Sequence, residues 1–126
     1  MSYLWISLGA ALGGSARYWI TGLVQNRLEW IFPLGTLAVN FAGSFLLGLF
    51  VFFMQSSGWA TREARLLFSV GFCGALTTYS TFSYETLELF RDSEFLLGSL
   101  NIVGNVVLTL LGVYLAFLLS RWIGHS

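Results

Sequence analysis

The sequence predicts an all-α membrane protein: a single domain over residues 1–126 with four transmembrane helices, the third of them broken. Three observations carry this. The chain is 56% hydrophobic and only 10% charged, with a mean hydropathy of +0.77. Its charged residues cluster so as to leave four apolar runs near the roughly 20 residues that a helix needs to cross hydrocarbon. One of those runs, from Gly71 to Ser83, carries glycines and hydroxyls that a uniform lipid-facing helix has no use for. Four crossings use most of the chain and leave no room for a soluble domain.

The formal charge is zero and every basic side chain is arginine, so there is no basic patch to suggest nucleic acid. The single Cys73 cannot form an internal disulfide. Tyr3-Leu4-Trp5 opens the first run with no basic segment before it and no Ala-x-Ala pattern after it, which predicts a retained helix.

The first helix is expected over residues 3–24. Gly9 and Gly13, four apart, put small residues on one face where another helix can approach closely. Arg17 lies roughly 21 Å along the helix from Tyr3 at 1.5 Å per residue, past the midplane yet still within the hydrocarbon. It reads either as an interfacial anchor beside Tyr18 and Trp19 or as a charge that draws an anion to a water-filled vestibule.

The link over residues 25–33 holds Arg27, Glu29 and Trp30, a composition suited to headgroups. The only proline, Pro33, opens the second helix, where its missing N–H is harmless. That helix, residues 34–54, carries one strongly polar side chain, Asn40. A buried carboxamide can donate to an anion or tie two helices together, and both readings stand.

After a link over residues 55–65, the third helix should span residues 66–90. Gly71 and Gly74 lower helix stability, and Thr77, Thr78, Ser80, Thr81 and Ser83 can bond backbone groups locally. At membrane depth such a break is tolerated only against protein or a water-filled cavity, and its freed carbonyls could hold a cation. Tyr79 and Phe82 are three apart, which sets their rings on one face. Ring edges are positive, so edges flanked by hydroxyls could pass a small anion without a formal charge. Glu85 could share that face. Glu88 falls one turn nearer the headgroups, and either acid reads as a solvated helix end or as an acid near a pore mouth that would affect access and pH response.

Arg91-Asp92-Ser93-Glu94 is short enough to make the third and fourth helices antiparallel neighbours. In the fourth helix, residues 95–122, Asn101, Asn105 and Thr109 recur every four residues and form a polar line, the wall of a polar path or a set of interhelical hydrogen bonds. His125 has no ligand-spaced partner.

Arg62, Arg65 and Arg121 fall on one side of a four-crossing chain and Arg27 and Arg91 on the other, with Arg17 joining these if it snorkels. The bias is too small to fix one direction of insertion. A chain inserted both ways can pair with its inverted twin, the symmetry many transporters build from internal repeats.

Gly13-Gly14-Ser15-Ala16-Arg17-Tyr18, Pro33-Leu34-Gly35-Thr36-Leu37-Ala38-Val39-Asn40 and the stretch from Gly71 to Ser83 closely resemble the Fluc/CrcB family of fluoride channels, and the likeness covers all four helices in order. The resemblance implies an antiparallel dual-topology homodimer in the bacterial cytoplasmic (inner) membrane, each copy paired with an inverted second copy. It further implies two pores that export toxic fluoride passively, and a structural sodium ion at the dimer interface held by backbone carbonyls of Gly74 and Thr77. The implied fluoride pathway falls on Asn40, Tyr79, Ser80, Thr81, Phe82, Glu85, Asn101, Asn105 and Thr109, with Arg17 in the vestibule. Tyr79 stands where the family has phenylalanine.

Other classes fit less well. A proton-coupled exporter of the small four-helix type needs an acid within its first helix, and the first acid here is Glu29, in a link. No histidine, cysteine and carboxylate group converges as an enzyme would require.

Overall fold

The structure, a computed structural model, describes residues 1–58 and 60–124, the side chain of Gln55 apart. His125 lies outside them. Four long helical segments follow one another, with no strand among the described residues: α1 (Ser2–Leu28), α2 (Leu34–Met54), α3 (Arg62–Arg91) and α4 (Phe95–Gly124). Three of them, α2, α3 and α4, are long and apolar enough to cross a membrane. At 27 residues α1 is long enough, but Gly9, Gly13, Gly14, Ser15, Arg17 and Thr21 dilute its apolar content.

Helix α1 continues one turn beyond the expected Val24, because Gln25 and Arg27 propagate a helix readily. It stops at Glu29, in the left-handed region at φ 44°. Gln25 then organises the short link: its Nε2 donates to the carbonyls of Trp30 and Phe32, and its Oε1 accepts from the Gly35 N–H. Pro33 takes the N-cap of α2, where its missing donor costs nothing. At the other end α2 widens into a π-helical stretch, Phe50–Met54.

Helix α3 starts four residues before the expected Leu66. Thr61 caps it, accepting from the Ala64 N–H at 3.1 Å. The helix is π-helical over Arg65–Cys73 and α-helical over Gly74–Leu76. Thr77 and Thr78 are extended, and an α-helix resumes over Tyr79–Arg91. Gly71 and Gly74, expected to weaken the helix, are themselves helical. The helix ends in a Schellman turn at Ser93 (φ 62°), where Ser93 N–H bonds the Phe90 carbonyl and Glu94 N–H the Leu89 carbonyl. That turn folds α4 back against α3. Helix α4 runs two residues past the expected Trp122.

The backbones come into contact where glycines allow it. The first half of α3 lies against α1 and the second half against α4, while α2 packs along α4. A Cβ on Gly9 would overlap the Leu67 carbonyl, one on Gly13 the Phe72 carbonyl, and one on Gly71 would lie 2.6 Å from the Ile6 oxygen. A Cβ on Gly98 would lie 2.6 Å from the Phe90 ring. Such small-residue faces let membrane helices gain van der Waals contact that lipid cannot supply. The interior they enclose is narrow, with Val39, Leu76, Cys73 and Asn101 its most deeply buried side chains. The outer face of α4 exposes Leu96, Val103, Val107, Leu110 and Trp122, as suits contact with lipid tails.

Candidate functional site: the interruption of helix α3

The chain leaves the helical path at Thr77 because local donors and acceptors offer it alternatives. The Thr77 hydroxyl and N–H both bond back to the Cys73 carbonyl, at 3.0 and 3.1 Å, a threonine habit that bends helices. Thr78 N–H, which in a continuous helix would bond the Gly74 carbonyl, donates instead to Asn40 Oδ1 at 2.7 Å. The Thr78 carbonyl accepts from Asn40 Nδ2 at 3.1 Å. One carboxamide of α2 therefore satisfies both main-chain groups of Thr78. The Thr78 hydroxyl then accepts from the Thr81 N–H at 3.1 Å and caps the resumed helix.

Diverting these donors leaves two acceptors without their helical partners. The Gly74 carbonyl loses Thr78 N–H, and the Thr77 carbonyl loses Thr81 N–H. Gly43 keeps α2 close to this point, since a Cβ there would overlap the Thr77 methyl.

Two cavities flank the interruption. The larger, 360 Å³, is bordered by Asn40, Thr77, Tyr79, Phe82, Asn105 and Thr109, with Gly74 at its edge. The smaller, 260 Å³, is bordered by Arg17, Tyr18, Thr36, Thr81 and Glu85. Thr78 borders both. In the larger cavity the rings of Tyr79 and Phe82 meet edge to face, 5.4 Å apart at 65°. In the smaller, Glu85 Oε1 accepts from the Thr36 hydroxyl at 2.7 Å, while its Oε2 is buried without a protein partner.

A family model described as "CrcB-like protein, Camphor Resistance (CrcB)" matches residues 4–117. The chain belongs to the CrcB family. CrcB relatives resemble it along nearly their whole length: one from Methylocella silvestris is 43% identical, over 99% of this chain and 91% of the relative. One from Pyrococcus abyssi is 46% identical over 94% of each, and one from Thermococcus onnurineus is 44% identical over 92% of this chain and 93% of the relative. Each of the three bears the name fluoride-specific ion channel FluC.

Within this CrcB fold the residues singled out in the sequence divide into three groups. Asn40, Tyr79, Phe82, Asn105, Thr109, Gly74 and Thr77 border the larger cavity. Arg17, Thr81 and Glu85 border the smaller. Asn101 and Ser80 border neither. Asn101 is fully buried, and Ser80 is exposed with its hydroxyl 3.4 Å from that of Thr78. Tyr79 is 81% exposed, so its ring lies on an open face of this single chain. Glu88 pairs with Arg91 at 2.7 Å on the surface, a contact of small energetic weight.

Thr36 and Thr86 stand outside the residues the sequence had marked, and Thr78, marked there only as a hydroxyl that loosens the helix, is the wall shared by both cavities. Their spacing was the available signal. Thr36 is four residues before Asn40, while Thr78, Phe82 and Thr86 form a stripe at intervals of four. Among the described residues no three His, Cys, Asp or Glu side chains gather as metal ligands.

Proposed function

We propose that this CrcB chain is a passive, fluoride-selective channel of the bacterial cytoplasmic membrane. It crosses the bilayer four times, α1 included, and functions as an antiparallel dual-topology homodimer with two pores. The observation that carries the reading is the meeting of two cavities at Thr78, where α3 is interrupted. A membrane helix that surrenders backbone hydrogen bonds at mid-span needs a compensating role for the freed groups. A pathway past hydroxyls and ring edges supplies one.

In this reading fluoride enters beside Arg17, whose charge raises the local anion concentration. It moves past Thr81 and Glu85, crosses at Thr78, and leaves along Phe82, Tyr79, Asn105 and Thr109. Asn40 and Asn101 shape the wall and Ser80 extends the hydroxyl set. Selectivity over larger halides follows from a narrow path that replaces a small ion's hydration with donors and ring edges. The exposed Tyr79 ring and the small volume that one chain encloses suit a second, inverted copy closing the larger cavity.

The freed carbonyls of Gly74 and Thr77 fit a sodium ion at the dimer interface, since hard cations take oxygen ligands. There a bound sodium would supply a fixed positive charge. Thr77 is extended and bonded back to Cys73, and the neighbouring Thr78 is held by Asn40, so neither carbonyl receives its helical donor.

The test is growth. Cells stripped of their own fluoride exporters are expected to grow in fluoride when this chain is present in their inner membrane. No protection, with the chain detected in that membrane, would overturn the proposal.

A further inference from the structure

The asparagines of this protein make a circuit of hydrogen bonds that begins and ends on α3. Asn40 Nδ2 donates to Asn105 Oδ1 at 2.9 Å. Asn105 Nδ2 donates to the carbonyl and side-chain oxygens of Asn101, at 2.9 and 3.0 Å. Asn101 Nδ2 donates to the Thr86 hydroxyl at 2.9 Å. Thr86 Oγ1 then donates to the Phe82 carbonyl at 2.7 Å. With Asn40 gripping both main-chain groups of Thr78, the circuit leaves α3 at Thr78, crosses α2 and α4, and returns at Phe82. Every member is buried, from Asn101 with no exposure to Asn40 at 7%.

We infer that Asn40, Asn105, Asn101 and Thr86 are a bracket of positioning residues. They hold the interruption at Thr78 and the backbone of Phe82 in fixed register. The inference rests on the channel reading for its consequence, but not for its geometry. Asn40 has two amide hydrogens, one given to the Thr78 carbonyl and one to Asn105. The donors run in one direction around the circuit, an arrangement in which each bond polarises the next. Removing a link leaves a buried polar group unpaired, which costs more than the bond itself contributes.

Thr86 is the informative position, because it borders neither cavity beside the interruption and its loss removes no pathway donor. In reconstituted protein, Thr86→Val is expected to slow fluoride efflux about tenfold, the scale of one lost buried hydrogen bond. Thr86→Ser, which restores the hydroxyl, should return it close to wild type. Wild-type efflux in Thr86→Val would overturn the bracket.

A second measurement does not depend on flux. Hydrogen exchange at the Thr78 amide should be slow in wild type with or without fluoride. It should be about tenfold faster in Asn40→Ala and still slow in Asn40→Asp, which keeps the acceptor oxygen. Equal exchange in wild type and Asn40→Ala would also overturn the inference. If wild type itself passes no fluoride the channel reading fails, and the exchange rates alone then decide whether the bracket exists.

Discussion

Phe82→Ile is expected to reduce fluoride efflux from proteoliposomes to the leak of protein-free vesicles while leaving the chain folded and paired. The ring of Phe82 is 8% exposed, borders the larger cavity and meets Tyr79 edge to face at 5.4 Å. Isoleucine keeps most of the buried volume, so its stability cost stays well below the roughly 3–5 kcal/mol of a Phe→Ala truncation. It abolishes the aromatic quadrupole, whose positive rim can attract an anion where no charged side chain stands. Backbone position is held separately, through the Thr86 hydroxyl on the Phe82 carbonyl, so the substitution removes the ring without releasing the turn. Efflux measured with a fluoride electrode, alongside the elution volume of the assembly, separates the outcomes. Undiminished efflux would take the ring out of the mechanism.

The largest stability effect is expected where α1 touches α3. Gly13→Ala should cost about 3 kcal/mol or more, the upper end of what overpacking usually costs, because the new methyl meets the Phe72 main chain, with its carbonyl carbon at 2.9 Å and Cα at 3.0 Å. Backbone cannot swing aside as the end of a side chain can. The neighbouring Gly14→Ala has open space around the methyl, and alanine there favours the helix by up to about 1 kcal/mol. Heating both variants in detergent and measuring the monodisperse fraction that survives should show Gly13→Ala lost at a markedly lower temperature and Gly14→Ala unchanged or improved. Equal behaviour would mean that α1 does not lie on α3 as described. The expected distortion reaches the site, because Phe72 precedes Cys73, the residue whose carbonyl receives both bonds from Thr77.

Much of this was legible in the sequence, for reasons that differ by element. Hydropathy and charge spacing delimited α2, α3 and α4, since burial in lipid acts on composition alone. The end of α1 at Leu28 was less visible: it depends on Gln25 reaching forward to the Trp30 and Phe32 carbonyls, a tertiary device that no local pattern announces. The stretch from Gly71 to Ser83 stood out by its hydroxyls, yet its glycines serve differently from expectation. Gly71 lets α1 approach, and the extended residues are threonines that find other hydrogen-bond partners. For Asn40, Asn101 and Asn105 the periodicity indicated a shared face but not its use. A polar line looks the same in sequence whether it faces water or itself, and only the donor-to-acceptor geometry distinguishes the two. Thr86 was overlooked because a single threonine in a helix commonly bonds its own backbone, as this one does to Phe82, and nothing local reveals that it also receives Asn101.

The account's central claim is that a small anion crosses passively at the interruption of α3, and efflux from purified, reconstituted wild-type protein tests it most directly. With a fluoride electrode and a chloride electrode on matched vesicles, fluoride is expected to leave down its own gradient with no proton or cation gradient imposed, while chloride stays inside. Chloride leaving as fast as fluoride, or fluoride moving only when a pH gradient is applied, would contradict it.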